Sequence, residues 1–140
     1  MTDAPRELRL RPVGHVHSPL TDAATAPRQG DEGAPPASIE FHAEVADALD
    51  GLRAGDEVLV LTWLDRADRS TLVTLPRDDP TRPPVGVFAT RSPHRPNPIG
   101  LHRVRIRAAD GLRLEVDGLE ALDGTPVLDV KPVLGPVAER

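Results

Sequence analysis

The sequence contains no cysteine and no tyrosine, and its 140 residues include one tryptophan and two phenylalanines. Without cysteine the chain forms neither disulfides nor thiolate metal sites, which is compatible with a cytoplasmic protein. No run of about 18 apolar residues occurs, so no transmembrane helix is predicted. The first residues, MTDAPRELRLRP, lack the apolar segment of a signal peptide. These absences predict a soluble cytoplasmic domain without a metal ion.

Proline is the residue in excess. The chain has 16 prolines and 11 glycines, and proline use well above about 5% favours turns and short elements over long helices. A length of 140 residues and a mass of 15.1 kDa suit one domain with a real core. We therefore predict a single domain over residues 1–140, with flexible termini at 1–7 and 134–140.

The charge is unevenly distributed along the chain. The formal net charge is −5, and Lys131 is the single lysine among 17 basic residues. Residues 91–107 contain five arginines and two histidines but no acidic residue. An acidic protein lacks the broad positive field of a nonspecific nucleic-acid binder, whereas a local basic strip can still bind one anionic group. Residues 91–107 are therefore a candidate anion site.

Short apolar or alternating runs predict strands along most of the chain. The predicted strands are residues 8–16, 57–64, 71–75, 85–89, 102–108, 112–118 and 125–133. One helix is predicted over 43–50, because Val45, Leu49 and Leu52 would share a face, and Gly51 suits its end. Residues 18–37 and 76–84 are predicted to be loops. At least six strands and one short helix predict an all-β, β-rich barrel rather than a doubly wound α/β sheet.

The Asp-Gly dipeptide at 110–111 predicts a hairpin. We favour a three-residue loop over 109–111, which pairs Ile106 with Leu114, because a two-residue loop would place Ile106 opposite the charged Glu115. The favoured loop requires its glycine in the left-handed conformation. Two arginines of the basic strip would then face acids of the next strand, as the pairs Arg105–Glu115 and Arg103–Asp117. Those two arginines are predicted to be ion-pair residues, which leaves the arginines at 91 and 95 for a ligand.

The last predicted strand carries the only lysine. Period-two alternation places Thr125, Asp129 and Lys131 on one face, with Leu128 and Val130 on the other. The Asp129–Lys131 pair is either an ordinary ion pair worth under about 1 kcal/mol or part of a binding site. Both interpretations remain open at this point.

Several familiar motifs are absent or weak. The sequence has no G-x-G-x-x-G after a strand, no P-loop and no G-x-S-x-G, so no Rossmann-type cofactor site is predicted. His15 and His17 lack a nearby third ligand and are predicted to be ordinary surface histidines. Residues 93–96 match the PxxP pattern of a polyproline II ligand. The flanking predicted strands would bury this segment, so it is not predicted to bind a partner in this way.

Four ordered segments resemble the TsaA-like family. They are PVGHVHSP (12–19), APRQG (26–30), GVFATRSPHRPNPIGL (86–101) and LDGTPVLDVKP (122–132). The best-known members are S-adenosylmethionine-dependent methyltransferases that methylate N6 of threonylcarbamoyl-adenosine beside the tRNA anticodon. The resemblance covers about residues 10–133 and implies a single-sheet β-barrel, a homodimer and S-adenosyl-L-methionine as the cofactor.

The resemblance also implies a cofactor site. Its positions are Pro27, Arg28, Gln29, Leu64, Asp65, Arg91, Leu101, Leu122, Asp123, Gly124 and Thr125. At 64–65 the sequence has Leu-Asp where family members often have an aromatic residue and histidine. Either Arg28 or Arg91 would clamp the cofactor carboxylate through charge-assisted hydrogen bonds. Either Asp123 or Asp65 would accept hydrogen bonds from the ammonium or the ribose hydroxyls. Leu101 is a candidate apolar contact for the adenine, and so is Trp63, which the resemblance does not imply.

The acceptor site is assigned to three candidate catalytic residues and two further substrate-binding residues. Methyl transfer from a sulfonium needs no protonated leaving group, so holding the reacting atoms about 3–3.5 Å apart in line can supply most of the catalysis. Asn97 is predicted to orient an acceptor N–H with its side-chain carbonyl, and Asp129 and Lys131 to help seat the acceptor. His94 and Arg95, with Asn97, are predicted to bind the substrate.

Three functions remain open from the sequence. The first is the tRNA methyltransferase of the resemblance. The second is a methyltransferase of the same fold with a small-molecule acceptor, which the net charge of −5 and the scarcity of aromatic residues favour. The third is a module that binds the cofactor or an RNA without transferring a methyl group.

Overall fold

The computed structural model describes residues 6–22 and 33–135. Within these residues the strands are β1 Gly14–His17, β2 Ala37–Phe41, β3 Glu57–Trp63, β4 Val73–Thr74, β5 Val85–Gly86, β6 Ile99–Asp110, β7 Arg113–Asp117 and β8 Pro126–Pro132. Six strands close into one barrel in the order β1-β2-β7-β6-β3-β8, and β4 pairs with β5 in a separate small sheet. The predicted β-rich single-sheet barrel is confirmed.

Alternating side chains fill the barrel. On β7, and on β6 as far as Arg107, every second residue is buried and its neighbours are exposed, as the period of a strand requires. The apolar core comprises Val16, Ala37, Ile39, Phe41, Val58, Val60, Val104, Ile106, Leu114, Val116, Leu119, Ala121 and Val127. Each fully buried valine, leucine or isoleucine contributes roughly 1.5–3 kcal/mol of transfer free energy, so this cluster supplies most of the driving force for folding.

The predicted helix forms as a 3-10 helix over Ala43–Leu49 rather than as an α-helix. Its predicted apolar face is confirmed, because Val45, Leu49 and Leu52 pack against the core. Gly51 follows with φ of +96°, a conformation that glycine adopts without steric cost. A seven-residue segment is short for an isolated helix, so packing rather than intrinsic propensity maintains it.

Several predicted strands are shorter than expected. Strand β1 covers only the end of the predicted run 8–16, and β4 covers two residues of 71–75. The run 85–89 divides into β5 and a 3-10 helix over Val87–Ala89, in which Phe88 is 84% exposed. A further 3-10 helix, Pro76–Asp78, lies in the predicted loop 76–84. The pattern analysis missed β2, a five-residue strand between a proline-rich loop and the helix.

The predicted hairpin register is wrong. β6 and β7 are joined through Gly111 and Leu112, with Asp110 opposite Arg113. A register shift between residues 106 and 108 adds one residue to β6, and beyond it Ile106 lies opposite Val116. This bulge keeps apolar residues facing inward although the loop is two residues long, an arrangement that simple alternation did not consider. The left-handed conformation predicted for the loop glycine is confirmed, with φ of +58°.

A second register shift corrects the predicted faces of the last strand. Between β3 and β8, Leu61 lies opposite Asp129 but Thr62 lies opposite Val127, so residue 128 is the extra one. Thr125 and Val127 are therefore buried, whereas Asp129 is exposed with Lys131 on the outer face. The prediction that Thr125 shares a face with the charged pair is wrong, because the bulge exchanges the two faces of the strand.

The antiparallel pairing gathers the predicted site segments at one end of the barrel. His15 near the end of β1 lies opposite Pro126 at the start of β8. Trp63 at the end of β3 lies opposite Ile99 at the start of β6, and Thr62 of β3 lies opposite Val127 of β8. The segments after β1, after β3, before β6 and before β8 therefore all emerge at this end, which we call the loop end.

Gly100 occupies a position on β6 that no larger residue fits. A Cβ atom there would collide with the Thr62 hydroxyl and come within 2.6 Å of His102 Nε2. We expect Gly100→Ala to lower the free energy of unfolding by about 1–3 kcal/mol, because overpacking forces neighbouring side chains to shift. Denaturant titration measures this loss. Gly86→Ala is the matched control, since its Cβ would meet only Leu72 O at 3.9 Å, and equal losses in both variants would contradict the prediction.

Candidate functional site

Arg95 anchors the proline-rich segment from within. Its guanidinium donates to the carbonyl oxygens of Val87, Thr90 and Ser92, at 2.7, 2.5 and 2.8 Å. Three backbone acceptors are thus satisfied by one half-buried cation, which holds the turn between β5 and the proline-rich residues in one shape. The structure gives Arg95 a role in shaping the segment, while its predicted contact with a substrate stays a prediction.

Arg69 holds the same segment from outside. Its Nε donates to the carbonyl of Pro96 at 2.7 Å and its Nη2 donates to Asn97 Oδ1 at 3.0 Å. The guanidinium also lies 5.2 Å from the ring centroid of Trp63, a cation–π contact. Sequence analysis missed Arg69, because nothing in its neighbourhood marks it, and it left Trp63 as an adenine contact. The hydrogen bond to Asn97 Oδ1 engages the oxygen that was predicted to orient an acceptor N–H.

A tight turn at residues 68–70 holds the ring of His94. The amide of Asp68 donates to His94 Nδ1 at 2.9 Å, so the proton of the neutral ring lies on Nε2. The hydroxyl and amide of Ser70 donate to Asp68 Oδ1 and lower the pKa of that carboxyl below its usual value. Because the pKa of Asp68 is lower in the folded state, its ionised carboxylate stabilises the fold at any pH above the ordinary pKa of aspartate. This stabilisation is lost as the pH falls through the lowered pKa. The turn therefore keeps its charge throughout the neutral range.

The turn before β8 is hydrogen-bonded to the segment that follows β1. The Asp123 amide donates to Leu20 O at 2.7 Å, and Asp123 Oδ1 accepts from the Ser18 amide at 3.1 Å. The Gly124 amide donates to Val16 O at 2.8 Å, and its φ of +81° suits glycine. The second oxygen of Asp123 has no hydrogen-bond partner among the described residues, so it remains available to a ligand.

Two further contacts involve the segment that follows β3. Arg66, just after β3, donates from Nη1 to Thr21 O at 3.1 Å. The Leu64 amide donates to Pro98 O at 2.8 Å, which ties the end of β3 to the proline-rich segment. The predicted positions Leu64 and Asp65, and Leu122 to Thr125, therefore lie on two segments that are linked through residues 16–21 at the loop end. The predicted residues Pro27, Arg28 and Gln29 lie outside the described part of the chain.

The remaining predicted residues lie on the outer face of the barrel. Leu101 is 43% exposed on β6 and lies opposite Leu61, which in turn lies opposite Asp129 of β8. Adjacent strands are about 4.8 Å apart, so Leu101 and Asp129 are separated by about 10 Å. Lys131 Nζ lies 3.3 Å from Asp129 Oδ2, and both side chains are exposed. The ion pair is thus present on the surface, beside the site segments and not within them.

The basic strip is largely neutralised within the fold. Arg103 donates to Glu57 at 2.7 Å and lowers the pKa of that carboxyl, and Arg105 lies 3.6 Å from the same acid. Arg107 pairs with Asp117 at 3.6 Å. Neither predicted pair, Arg105–Glu115 or Arg103–Asp117, forms, because both arginines pair with Glu57 of β3 instead of an acid of β7. Both are ion-pair residues as predicted, but with another partner. Arg91 is exposed and has no hydrogen bond or ion pair with a described residue, so it is the free cation of the strip.

Histidines outside this site pair with one another. His15 Nδ1 lies 3.3 Å from His42 Nε2, with ring centroids 5.2 Å apart. Across residues 6–22 and 33–135, no three histidine, aspartate or glutamate side chains are grouped as ligands for a metal ion. The same residues contain no helix with the length and apolar character needed to cross a bilayer. A shallow concavity lined by Leu52, Gly55 and Pro132 lies at the opposite end of the barrel and contains no predicted site residue.

A buried polar group also escaped sequence analysis. His102 lies between Thr62 and Glu120 in the barrel wall, with hydrogen bonds of 2.7 and 2.6 Å. No motif signals it, since the three residues are far apart in sequence. Only the pairing of β3 with β6 brings the first two together.

The fold defines a single-sheet β-barrel domain, with several of the predicted site segments gathered at one end. Residues 15–137 match the family model of the tRNA-methyltransferase O N-terminal domain. The chain belongs to this family, and the resemblance to TsaA-like proteins is confirmed.

Curated relatives support the assignment. A probable S-adenosyl-L-methionine-binding protein of Methanothermobacter thermautotrophicus is 45% identical over 126 residues, covering 90% of this chain and 90% of that protein. One of Archaeoglobus fulgidus is 46% identical over 125 residues, covering 89% of this chain but 34% of that protein. The crystal structure of TrmO from Pseudomonas aeruginosa aligns with a TM-score of 0.76 and 32% identity. That alignment covers 98% of this chain and 61% of the TrmO chain. This chain therefore spans less than two thirds of the TrmO chain and of the Archaeoglobus fulgidus protein.

Proposed function

We propose that this protein is an S-adenosyl-L-methionine-dependent methyltransferase. The observation that carries the proposal is the convergence at the loop end of the segments 16–21, 64–66, 96–98 and 122–125, linked by the hydrogen bonds described above. The names of curated relatives, which are S-adenosyl-L-methionine-binding proteins, support the cofactor. Binding a charged cofactor at neutral pH requires groups of both signs, and this end of the barrel offers them.

The predicted site residues fit the cofactor chemically. Its carboxylate needs a cation, and Arg91 is an exposed arginine without a partner among the described residues. Its ammonium and ribose hydroxyls need an acceptor, and one oxygen of Asp123 is unengaged in the same sense. Its adenine needs an apolar surface, which the exposed Leu101 and half-buried Leu122 provide. Proline at positions 93, 96 and 98 reduces the ordering cost of binding, because the segment is already shaped.

The cofactor supplies an electrophilic methyl group on a sulfonium. The protein's task is to hold an acceptor atom in line with that methyl group at about 3–3.5 Å and to exclude competing water. Asn97 is the candidate orienting residue. Because Arg69 donates to its Oδ1, the Nδ2 amide is the group without a partner among the described residues. We therefore infer that Asn97 donates a hydrogen bond to a carbonyl, carboxylate or phosphate oxygen of the acceptor.

The acceptor we propose is threonylcarbamoyl-adenosine beside the tRNA anticodon. Its carbamoyl and carboxylate oxygens are acceptors of the type that Asn97 Nδ2 and His94 Nε2–H require. The family assignment supports a tRNA substrate. Such a substrate implies a cytoplasmic protein. Asp129 and Lys131 are proposed to seat the acceptor from the outer face, where both are exposed.

A small-molecule acceptor is the second candidate, and one observation favours it. Arg95, Arg103, Arg105 and Arg107 all have described partners, so four of the five arginines in residues 91–107 are neutralised or engaged. A protein of net charge −5 with few free cations has little electrostatic attraction for a polyanion. Phosphate contacts from the described part of this chain would accordingly be few.

A homodimer is also part of the proposal. The outer face of β3 and β6 carries a strip of apolar side chains, Leu61, Trp63, Ile99 and Leu101, of which Ile99 is 42% exposed. Exposed charges of both signs flank this strip, Glu57 with Arg103 and Asp129 with Lys131. A two-fold contact is self-complementary, so a surface with an apolar centre and a rim of both charges suits a second copy of the same chain.

Arg91→Gln tests the cofactor site. We expect about a 10–100-fold loss in affinity for S-adenosyl-L-methionine, because a charge-assisted hydrogen bond of about 1.5–3 kcal/mol is removed. Calorimetric titration measures it, and the melting temperature should remain unchanged. Arg82→Gln, an exposed arginine distant in sequence from the predicted positions, is the matched control. Unchanged affinity in Arg91→Gln would show that another cation binds the carboxylate.

The acceptor is identified by transfer of labelled methyl groups. We expect incorporation into tRNA that carries threonylcarbamoyl-adenosine and none into tRNA that lacks it, with mass spectrometry locating the methyl on N6. Turnover of free heterocycles or amines without RNA labelling would establish the second candidate. Tight cofactor binding with no product on any acceptor would leave a binding module.

Ile99→Asp tests the dimer. A charge at the centre of the apolar strip should convert a dimer to a monomer in sedimentation velocity, since a buried unpaired carboxylate opposes association. Leu112→Asp places the same charge on an exposed leucine at the opposite end of the barrel and should leave the dimer intact. A monomeric unmodified protein would contradict the proposed dimer.

A further inference from the structure

Thr62, His102 and Glu120 form a hydrogen-bonded chain inside the barrel. Thr62 Oγ1 lies 2.7 Å from His102 Nε2, and His102 Nδ1 lies 2.6 Å from Glu120 Oε1. The side chains of His102 and Glu120 are 4% and 13% exposed, and Thr62 is fully buried. Three polar residues at such depth are costly unless each is hydrogen-bonded.

The partners fix the direction of each hydrogen bond. A carboxylate only accepts, so His102 Nδ1–H donates to Glu120 Oε1. In the neutral imidazole Nε2 is then the acceptor, and the Thr62 hydroxyl donates to it. The remaining oxygen, Glu120 Oε2, is buried and lacks a partner among the described residues.

This order of hydroxyl, imidazole and carboxylate matches that of a hydrolase triad, but the location excludes that chemistry. The Thr62 hydroxyl is covered by Gly100, whose Cα leaves no space even for a methyl group above it. No acyl group could reach a hydroxyl that is fully buried in the barrel wall. The hydrogen-bonded group of Thr62, His102 and Glu120 is therefore assigned a structural role, which is to hold neighbouring residues in place.

Each of these three residues lies within two positions of a residue of the proposed cofactor site. Thr62 is two residues before Leu64, His102 directly follows Leu101, and Glu120 is two residues before Leu122. These hydrogen bonds link β3, β6 and the segment before β8. The three elements carry the site residues but are far apart in the sequence. We propose that Thr62, His102 and Glu120 are positioning residues that hold the 118–125 segment against β3 and β6 so that the cofactor site is preformed.

Apolar contacts alone do not determine the position of the 118–125 segment along β6. Leu119 and Ala121, on either side of Glu120, are buried and fix how deeply the segment sits. Apolar contacts are nondirectional, whereas the short hydrogen bond from His102 fixes where along β6 the segment lies. Burying a carboxylate with one unpaired oxygen opposes folding, so the residue at 120 is poorly explained by stability alone.

The test measures hydrogen exchange in the 118–125 segment without cofactor. Glu120→Ala removes the anchor, Glu120→Gln retains an acceptor of the same shape, and Val58→Ala is a core variant at the opposite end of the barrel. We expect Glu120→Ala to raise hydrogen exchange of the Asp123 and Gly124 amides at least tenfold above Val58→Ala at matched global stability. Glu120→Gln should restore most of the protection.

Two further readouts complete the test. We expect Glu120→Ala to weaken S-adenosyl-L-methionine binding about tenfold while Val58→Ala leaves it unchanged, and ¹⁵N shifts to show His102 protonated on Nδ1. Equal exchange of Asp123 and Gly124 in Glu120→Ala and Val58→Ala would overturn the inference. The inference rests on the proposed function for its purpose, but the exchange measurement does not use the cofactor. Absence of cofactor binding by the unmodified protein would therefore refute the function and leave the positioning role to be decided by exchange.

Discussion

Closure of the barrel between its shortest and its last strand is the constraint on which the site depends. β1 has four residues and meets β8 through the pairs Gly14–Val127 and His15–Pro126. Hydrogen bonds from the Val13 and Val16 amides to β8 and its preceding turn extend this seam. A closed sheet has no free edges, so the seam fixes which connecting segments share an end of the barrel. Without it, the turn at 122–125 would not meet the segment after β1.

Much of the fold is predictable because it follows from local chemistry. Short apolar or alternating runs predict the strands β3, β6, β7 and β8, and the Asp-Gly dipeptide predicts the hairpin but not its register. The site segments are predictable only through resemblance, since motifs such as APRQG or LDGT have no chemistry when considered singly. The resemblance brings together positions that composition and periodicity leave scattered along the chain.

The rest was not predictable because it depends on tertiary pairing. One added residue in β6 and one in β8 reverse faces locally, and sequence offers no marker for either bulge. The sequence does not distinguish Arg95 from Arg91, because both are arginines of one basic strip and lie four residues apart. Only the fold engages Arg95 with three carbonyl groups and leaves Arg91 exposed. The two arginines thus differ in their hydrogen-bond partners and not in residue type. Arg95 holds the segment in shape, and Arg91 is the candidate binding residue.

Strand alternation couples the site to the core. Leu101 faces outward on β6, so its neighbours Gly100 and His102 must face inward. Any feature that fixes the inward pair also fixes the backbone that presents Leu101, and the Thr62–His102 hydrogen bond over Gly100 does so. The same relation holds on β3, where buried Thr62 precedes Trp63 and the Arg69 that stacks on it. On β3 and β6, therefore, one face of the strand packs in the core while the other carries residues next to or within the proposed site.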